Sequence, residues 1–354
     1  MIDLGAVISR VDAELAAFFD TRHARLSELG DDLVPLADTA RSFVLDGGKR
    51  LRPIFAYCGW RCVRDGDGGD DGPMLTAAAS LELLHGCALI HDDVMDGSST
   101  RRGRPSVHAS FTAIHREGTF TGDPQVFGTA AAIVVGDLLL SWADAMFAGA
   151  GFAEADARRA RGVYDDMRQQ VMAGQYLDML VQARGDFSVE DALRVARYKT
   201  SKYTIEGPLQ FGAAAAGASP AVVDAISGYG LPLGEAFQLR DDVLGVFGDP
   251  GRTGKPSGDD LREGKRTMLV ALAMESADPA QAKLLRDGLG DRGMDDPGVA
   301  TLCEVIVDTG ALERVEARIA ERAGQARSAL TPVIATDARD VLNSLAVLAT
   351  DRHT

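Results

Sequence analysis

Apolar residues recur three and four positions apart through most of the chain, as at Leu75, Leu81, Leu84, Ala88 and Ile90, while alternating β-branched runs are nearly absent. That period belongs to a helix with a buried face, so the pattern predicts an all-α protein. Turn-forming clusters interrupt it at Gly47-Gly48, Asp65 to Pro73, Gly97 to Pro105, Gly118 to Pro124, Gly217 to Pro220, Gly248 to Gly258 and Asp291 to Pro297. These breaks delimit roughly ten helices. No break joins a long linker to a shift in composition, so the expectation is one domain of bundled helices over residues 1–354.

The longest apolar stretch, about Val126 to Trp142, is interrupted by Gly136 and Asp137 and reads as a buried core helix, not a membrane span. The N-terminus has no basic segment followed by an apolar run, so no signal peptide is expected. Four cysteines, Cys58, Cys62, Cys87 and Cys303, form no C-x-x-C pair. They indicate neither a zinc site nor a disulfide framework and fit a reducing cytoplasm.

A net charge of −15 excludes a general nucleic-acid binder, because phosphate-backbone affinity comes from basic side chains. An anionic substrate has to meet a local basic cluster or a metal ion. Two acidic stretches offer the metal: D-D-V-M-D, containing Asp92, Asp93 and Asp96, and D-D-V-L-G, containing Asp241 and Asp242. Asp92 and Asp96 stack on one helical face, where two carboxylates can bridge hard cations, while Asp93 points about 100° away. The second stretch ends in Gly245 instead of a carboxylate, which makes it poorer in ligands. Asp249-Pro250-Gly251 reads as a helix terminator.

Basic residues flank both stretches. G-S-S-T-R-R-G-R-P brings Arg101, Arg102 and Arg104 close behind Asp96, where guanidinium forks can grip phosphate oxygens. Upstream, G-G-K-R-L-R-P sets Lys49, Arg50 and Arg52 at a helix start suited to an anion, a second, metal-free diphosphate candidate. Only six lysines stand against 31 arginines, and Lys49, Lys199, Lys255 and Lys265 lie within or beside these segments. A lysine kept in an arginine-rich chain suggests a site that wants a compact, mobile charge. Lys202 and Lys283 read as ordinary surface residues.

Taken together, G-G-K-R-L-R-P, L-L-H-G-C-A-L-I-H-D-D-V-M-D, R-R-G-R-P, Y-K-T and Q-L-R-D-D with a following G-K resemble the trans-isoprenyl diphosphate synthases, the family of farnesyl and geranylgeranyl diphosphate synthases. The resemblance covers about Phe43 to Thr267. It implies the isoprenoid synthase fold, a helical bundle around a central cavity, as a homodimer. It also implies Mg²⁺: two ions on Asp92 and Asp96 and a third on Asp241, with Asp93 and Asp242 as supporting carboxylates. By position, Arg101, Lys199 and Lys255 would meet an allylic diphosphate (dimethylallyl, geranyl or farnesyl), with Lys265 nearby. Lys49, Arg52, His85 and Arg102 would hold isopentenyl diphosphate. Thr200 and Gln238 would be polar contacts beside the reacting carbons, and Gln175 and Asp178 match a weaker feature near the metal. The catalytic set implied is Asp92, Asp93, Asp96, Lys199, Asp241 and Lys255.

Cys87 and Ala88, about one turn before Asp92, are small. Bulky residues there would block a growing chain, since one turn rises about 5.4 Å, near the length of an isoprene unit. In family terms small residues here resemble a geranylgeranyl more than a farnesyl diphosphate synthase, with a farnesyl or longer-chain product as the alternative, since Leu84 or Leu81 deeper in the floor could also stop the chain. Two rival readings stand beside this one. A class I terpene cyclase would not need G-G-K-R-L-R-P, and a non-catalytic partner subunit tends to lose the metal aspartates retained here.

Overall fold

The structure is a computed structural model and describes residues 2–64, 69–248 and 257–350. Its helices are α1 (Leu4–Leu29), α2 (Val34–Leu45), α3 (Leu51–Arg61), α4 (Gly72–Asp96), α5 (Val107–Glu117), α6 (Pro124–Ala148), α7 (Glu154–Arg184), α8 (Val189–Val195), α9 (Gly207–Ala215) and α10 (Pro220–Phe247). After these come α11 (Asp259–Glu263), α12 (Met268–Ser276), α13 (Pro279–Gly288), α14 (Asp296–Asp308), α15 (Ala311–Ser328) and α16 (Thr336–Thr350). Between α8 and α9 the chain winds as a π-helix over Ala196–Glu206. Helices outnumber the predicted breaks because several joints need little sequence. Gly185 and Gly310 turn the chain at positive φ, and Asp278 starts α13 through a capping box just before Pro279.

Within the Gly97–Pro105 break lies a short antiparallel hairpin, β1 (Thr100–Arg101) with β2 (Arg104–Pro105), in which Arg101 pairs with Arg104. Its two-residue turn is Arg102 and Gly103, at φ 54° and 73°. Positive φ at both turn residues matches the twist of a tight hairpin.

Two apolar clusters fill the interior. The larger draws on α1 to α7, α9 and α16, and the smaller on α8 and α11 to α15. Helix α10 serves both, giving Val222, Ile226, Tyr229 and Leu233 to the first and Leu239, Val243 and Val246 to the second. The changeover falls between Leu233 and Leu239, so the last turns of α10 pack in the second cluster.

The stretch expected as a buried core helix lies in α6, and the structure corrects that expectation. Val135, Leu139, Trp142 and Ala143 are buried, but Val126 and Val134 are 67% and 52% exposed, and Phe127 and Ile133 are exposed with them. A sequence apolar all round does not say whether both faces are covered by the same chain. By length and composition α4 and α6 are apolar enough to cross a membrane, but α4 is mostly buried in the fold. All four cysteines are free.

Candidate active site

Helix α4 stops at Gly97, whose left-handed backbone (φ 64°) returns its N–H to Asp93 O. The stop leaves Asp92, Asp93 and Asp96 in the last turn, at the negative end of the helix dipole, where carboxylates are disfavoured unless cations answer them. Arg101 on β1 donates from Nε and Nη2 to Asp93 Oδ1 at 2.9 and 2.5 Å, and from Nη2 to Asp92 Oδ2 at 3.2 Å. Lys199 donates to Asp92 Oδ1 at 2.9 Å and to Asp178 Oδ2 at 2.7 Å. Burial pushes Asp92 up, but Lys199, Arg101 and Lys265 outweigh it, so its carboxyl ends below the ordinary range. Asp96 is pushed up to about 6 by burial and by the carboxylates of Asp92 and Asp178. It is a carboxylate short of positive charge.

The second acidic stretch occupies the last turns of α10. Asp242 is buried, accepts from Gln238 Nε2 at 2.7 Å, and is pushed up to about 7 by burial, with Asp260 and Asp241 adding to the rise. Lys265 donates to Asp260 Oδ1 at 2.6 Å and lies 3.0 Å from Glu263 Oε2. Its charge also lowers Asp92, Asp96 and Asp242, and Ser98, just past α4, donates to Glu263 at 3.4 Å. The acidic ends of α4 and α10 therefore face a common space. Lys255 lies outside the described residues.

Among the described residues no three histidine, cysteine, aspartate or glutamate side chains close on one point. That donor set fits Mg²⁺, which is commonly held by one or two carboxylates and completed by water and phosphate oxygens. The raised carboxyls of Asp96 and Asp242 fit it as well, since a divalent ion supplies the charge they lack.

Lys199 and Thr200 belong to the π-helix, a winding frequent at functional sites. Two glycines let its neighbours close on it. A Cβ at Gly174 of α7 would lie 2.5 Å from Lys199 N, and one at Gly234 of α10 would lie 2.5 Å from Ser201 Cα. The close approach of α7 sets Asp178 within reach of Lys199, and Gln175 Nε2 is buried nearby on the same helix without a partner. Lys202, expected on the open surface, is half-buried and pairs at 2.9 Å with the buried Glu206 one turn away. Lys283 is exposed as expected.

The G-G-K-R-L-R-P segment divides its cations. Arg50, at φ 52°, turns inward, is buried, and donates to Asp12 Oδ1 at 2.7 Å, Glu82 Oε2 at 3.0 Å and Gly47 O at 2.8 Å. It braces the loop, so the anion candidate keeps only Lys49, which is exposed, and Arg52. Arg52 donates to Thr204 Oγ1 at 2.7 Å and lies over the Tyr203 ring, 4.4 Å from its centroid. Arg102 reaches the same region beside Gly47 and Gly48 and donates to Phe43 O at 3.4 Å. His85 is held well below its ordinary value, and so neutral, by burial and by Arg52, Arg102, Arg101 and Arg50.

Arg52 Nε, His85 Nδ1, Asp93 Oδ2, Gln175 Nε2 and Tyr203 OH are all buried without a partner. Orphaned polar atoms beside these cations and carboxylates are available to a polar ligand. Tyr203, Thr204, Glu82 and Asp260 escaped the sequence reading, because no charge spacing singles them out. On α4, Ala88 is half-buried one turn under Asp92, whereas Cys87 stacks with His91, its Sγ 3.7 Å from Nδ1. Beneath them Leu84 and Leu81 are fully buried.

Residues 35–306 match the family model for Polyprenyl synthetase. The chain is 36% identical to the geranylfarnesyl diphosphate synthase of Aeropyrum pernix, over 88% of this chain and 92% of that one. It is 31% identical to the octaprenyl diphosphate synthase of Escherichia coli, over 93% and 94%. The geranylgeranyl pyrophosphate synthase of Corynebacterium glutamicum, crystallised with isoprenyl diphosphate and magnesium, superposes with a TM-score of 0.95 at 42% identity, covering 99% of this chain and 100% of that one. The chain belongs to the polyprenyl synthetase family and is a trans-prenyl diphosphate synthase.

Proposed function

We propose that the chain condenses isopentenyl diphosphate head-to-tail with allylic diphosphates and stops at geranylgeranyl diphosphate. The observation that carries this is the meeting of two acidic helix ends beside a separate pocket of cations with unpaired polar atoms. That arrangement supports two diphosphates held in different ways, one through metal ions and one by side-chain cations.

When bound at Asp92, Asp96 and Asp241, Mg²⁺ supplies the positive charge that makes the allylic diphosphate a leaving group; three ions are the number proposed. Lys199 and Arg101 would move from their carboxylate partners to that diphosphate, and Lys255 and Lys265 would add their charge beside it, while Asp93 and Asp242 keep the ligand carboxylates in place. Lys49, Arg52, Arg102 and neutral His85 hold isopentenyl diphosphate, and Thr200 and Gln238 lie beside the reacting carbons. The allylic C–O bond breaks with its electron pair leaving on diphosphate. The isopentenyl double bond then forms the new C–C bond, and the neighbouring carbon loses a proton to a diphosphate oxygen. No side-chain nucleophile is needed, but water has to be excluded.

Product length rests on Ala88, the small residue stacked under Asp92, with Leu84 and Leu81 as the floor beneath it. Cys87, turned toward His91, is a lateral wall. We propose a homodimer built on α6, whose exposed Val126, Phe127, Ile133 and Val134 are continued by Phe120, stacked on Phe127 at 5.8 Å. The test of product length is chromatography after incubation with isopentenyl diphosphate and each allylic primer. Geranylgeranyl diphosphate as the end product supports the reading, and accumulation of farnesyl or longer diphosphates overturns it.

A further inference from the structure

Gly245 stands one turn beyond Asp241, where the second acidic stretch lacks the carboxylate that Asp96 gives the first. That turn of α10 is not open. A Cβ added at 245 would lie 2.0 Å from Asp260 Oδ2 and 2.4 Å from Asp260 Cγ, far inside any non-bonded separation. Asp260, on α11, is 7% exposed and its carboxylate fills the notch left by the missing side chain.

Several bonds keep it there. Leu261 N–H donates to Gly258 O at 3.0 Å, which starts the short helix, and Lys265 N–H donates to Asp260 O at 3.0 Å. Lys265 Nζ holds Asp260 Oδ1 at 2.6 Å, so one carboxylate oxygen faces a cation and the other faces Gly245. Crowding a third carboxylate beside Asp241 and Asp242 is unfavourable unless positive charge answers it. Lys265 answers part, and a divalent ion would answer the rest.

We propose that Asp260 is the missing carboxylate of the second acidic stretch, delivered from another helix, and that Gly245 is there to admit it. Asp260 is a positioning residue: it adds the negative charge needed by the ion at Asp241 and fixes Lys265 beside the leaving diphosphate. A carboxylate at 245 would bring charge alone, whereas α11 brings the charge and its lysine together. The inference rests on the site reading under Proposed function.

The test is Mn²⁺ binding, read by electron paramagnetic resonance with inorganic diphosphate present, and thermal melting as the control for folding. Asp260→Asn keeps size and is expected to melt near wild type while moving one step of the titration about tenfold higher in Mn²⁺. Gly245→Asp is expected to melt lower and bind more weakly, because two carboxylates cannot share the notch. The double variant Gly245→Asp/Asp260→Ala returns the carboxylate by the other route and is expected within about threefold of wild-type binding. Unchanged Mn²⁺ binding in Asp260→Asn overturns the proposal. So does a Gly245→Asp chain that melts and binds like wild type, or a double variant no better than Gly245→Asp. Prenyl transfer by the wild-type chain is scored separately. An inactive wild type removes the functional reading, whereas an active one with unchanged binding in Asp260→Asn removes only this inference.

Discussion

Asp96 is half-buried and Asp242 buried, both among like charges, and their carboxyls stand at about 6 and about 7 instead of near 3.8. A carboxyl raised by folding contributes stability in full below its unfolded value, and that contribution is lost as pH climbs through the folded one. The metal-free chain should therefore lose melting temperature from about pH 4 to about pH 7. Mg²⁺ favours the ionised forms, so the rise in melting temperature it gives should widen over that range. A Mg²⁺ effect that stays constant with pH would contradict the assignment. Asp92→Ala should lower prenyl transfer about a thousandfold or more with little change in melting temperature, because the loss falls on charge stabilisation; near-wild-type rates would sink its role. Ala88→Phe should shorten the product, checked by chromatography, if the position lines the growing chain. At this scale the aspartates were legible because the i, i+4 spacing fixes a shared face. Which arginine of G-G-K-R-L-R-P faces the substrate was not legible. It depends on a left-handed backbone at Arg50 that turns this side chain toward Glu82.

Elements decide how those residues meet. The π-helix carrying Lys199 is pressed between α7 and α10 at Gly174 and Gly234. Gly174→Ala inserts a methyl group 2.5 Å from Lys199 N. It should cost about 1–3 kcal/mol in thermal or denaturant unfolding, the usual range for overpacking. Because it also parts Asp178 from Lys199, turnover at saturating substrate should fall in the fraction that remains folded. Full turnover in that fraction would separate the helix contact from the site. The apolar period made the helices legible, and Gly and Pro clusters marked most of their ends. The period could not reveal the π winding, since an extra residue per turn changes hydrogen bonding more than it changes which residues are apolar. Nor could it reveal the hairpin, whose two-residue strands are too short to show alternation.

Over the whole molecule, α10 starts in the larger apolar cluster and ends in the smaller one, and its acidic end shares Lys265 with the acidic end of α4, which packs in the larger. The exposed apolar face of α6 is the surface on which the proposed dimer is built. Val134→Glu should convert a dimer to monomers in analytical ultracentrifugation, since burying an unpaired charge at such a face is strongly unfavourable; an unchanged dimer would place the interface elsewhere. The sequence suggested an enclosed α6 because a run apolar on every face looks the same whether its own chain or a second copy covers it. The likeness of L-I-H-D-D-V-M-D to Q-L-R-D-D-V-L-G suggested two acidic helices that face each other, and the motif resemblance gave that pairing its chemistry. The most direct test of that facing is a prenyl-transfer assay of the purified chain with isopentenyl diphosphate, farnesyl diphosphate and Mg²⁺, repeated with a chelator and with Asp92→Ala and Asp241→Ala. Geranylgeranyl diphosphate formed only by the wild type with Mg²⁺ is the predicted result. Transfer that survives the chelator, or survives loss of either aspartate, would contradict a leaving group gripped from both helix ends.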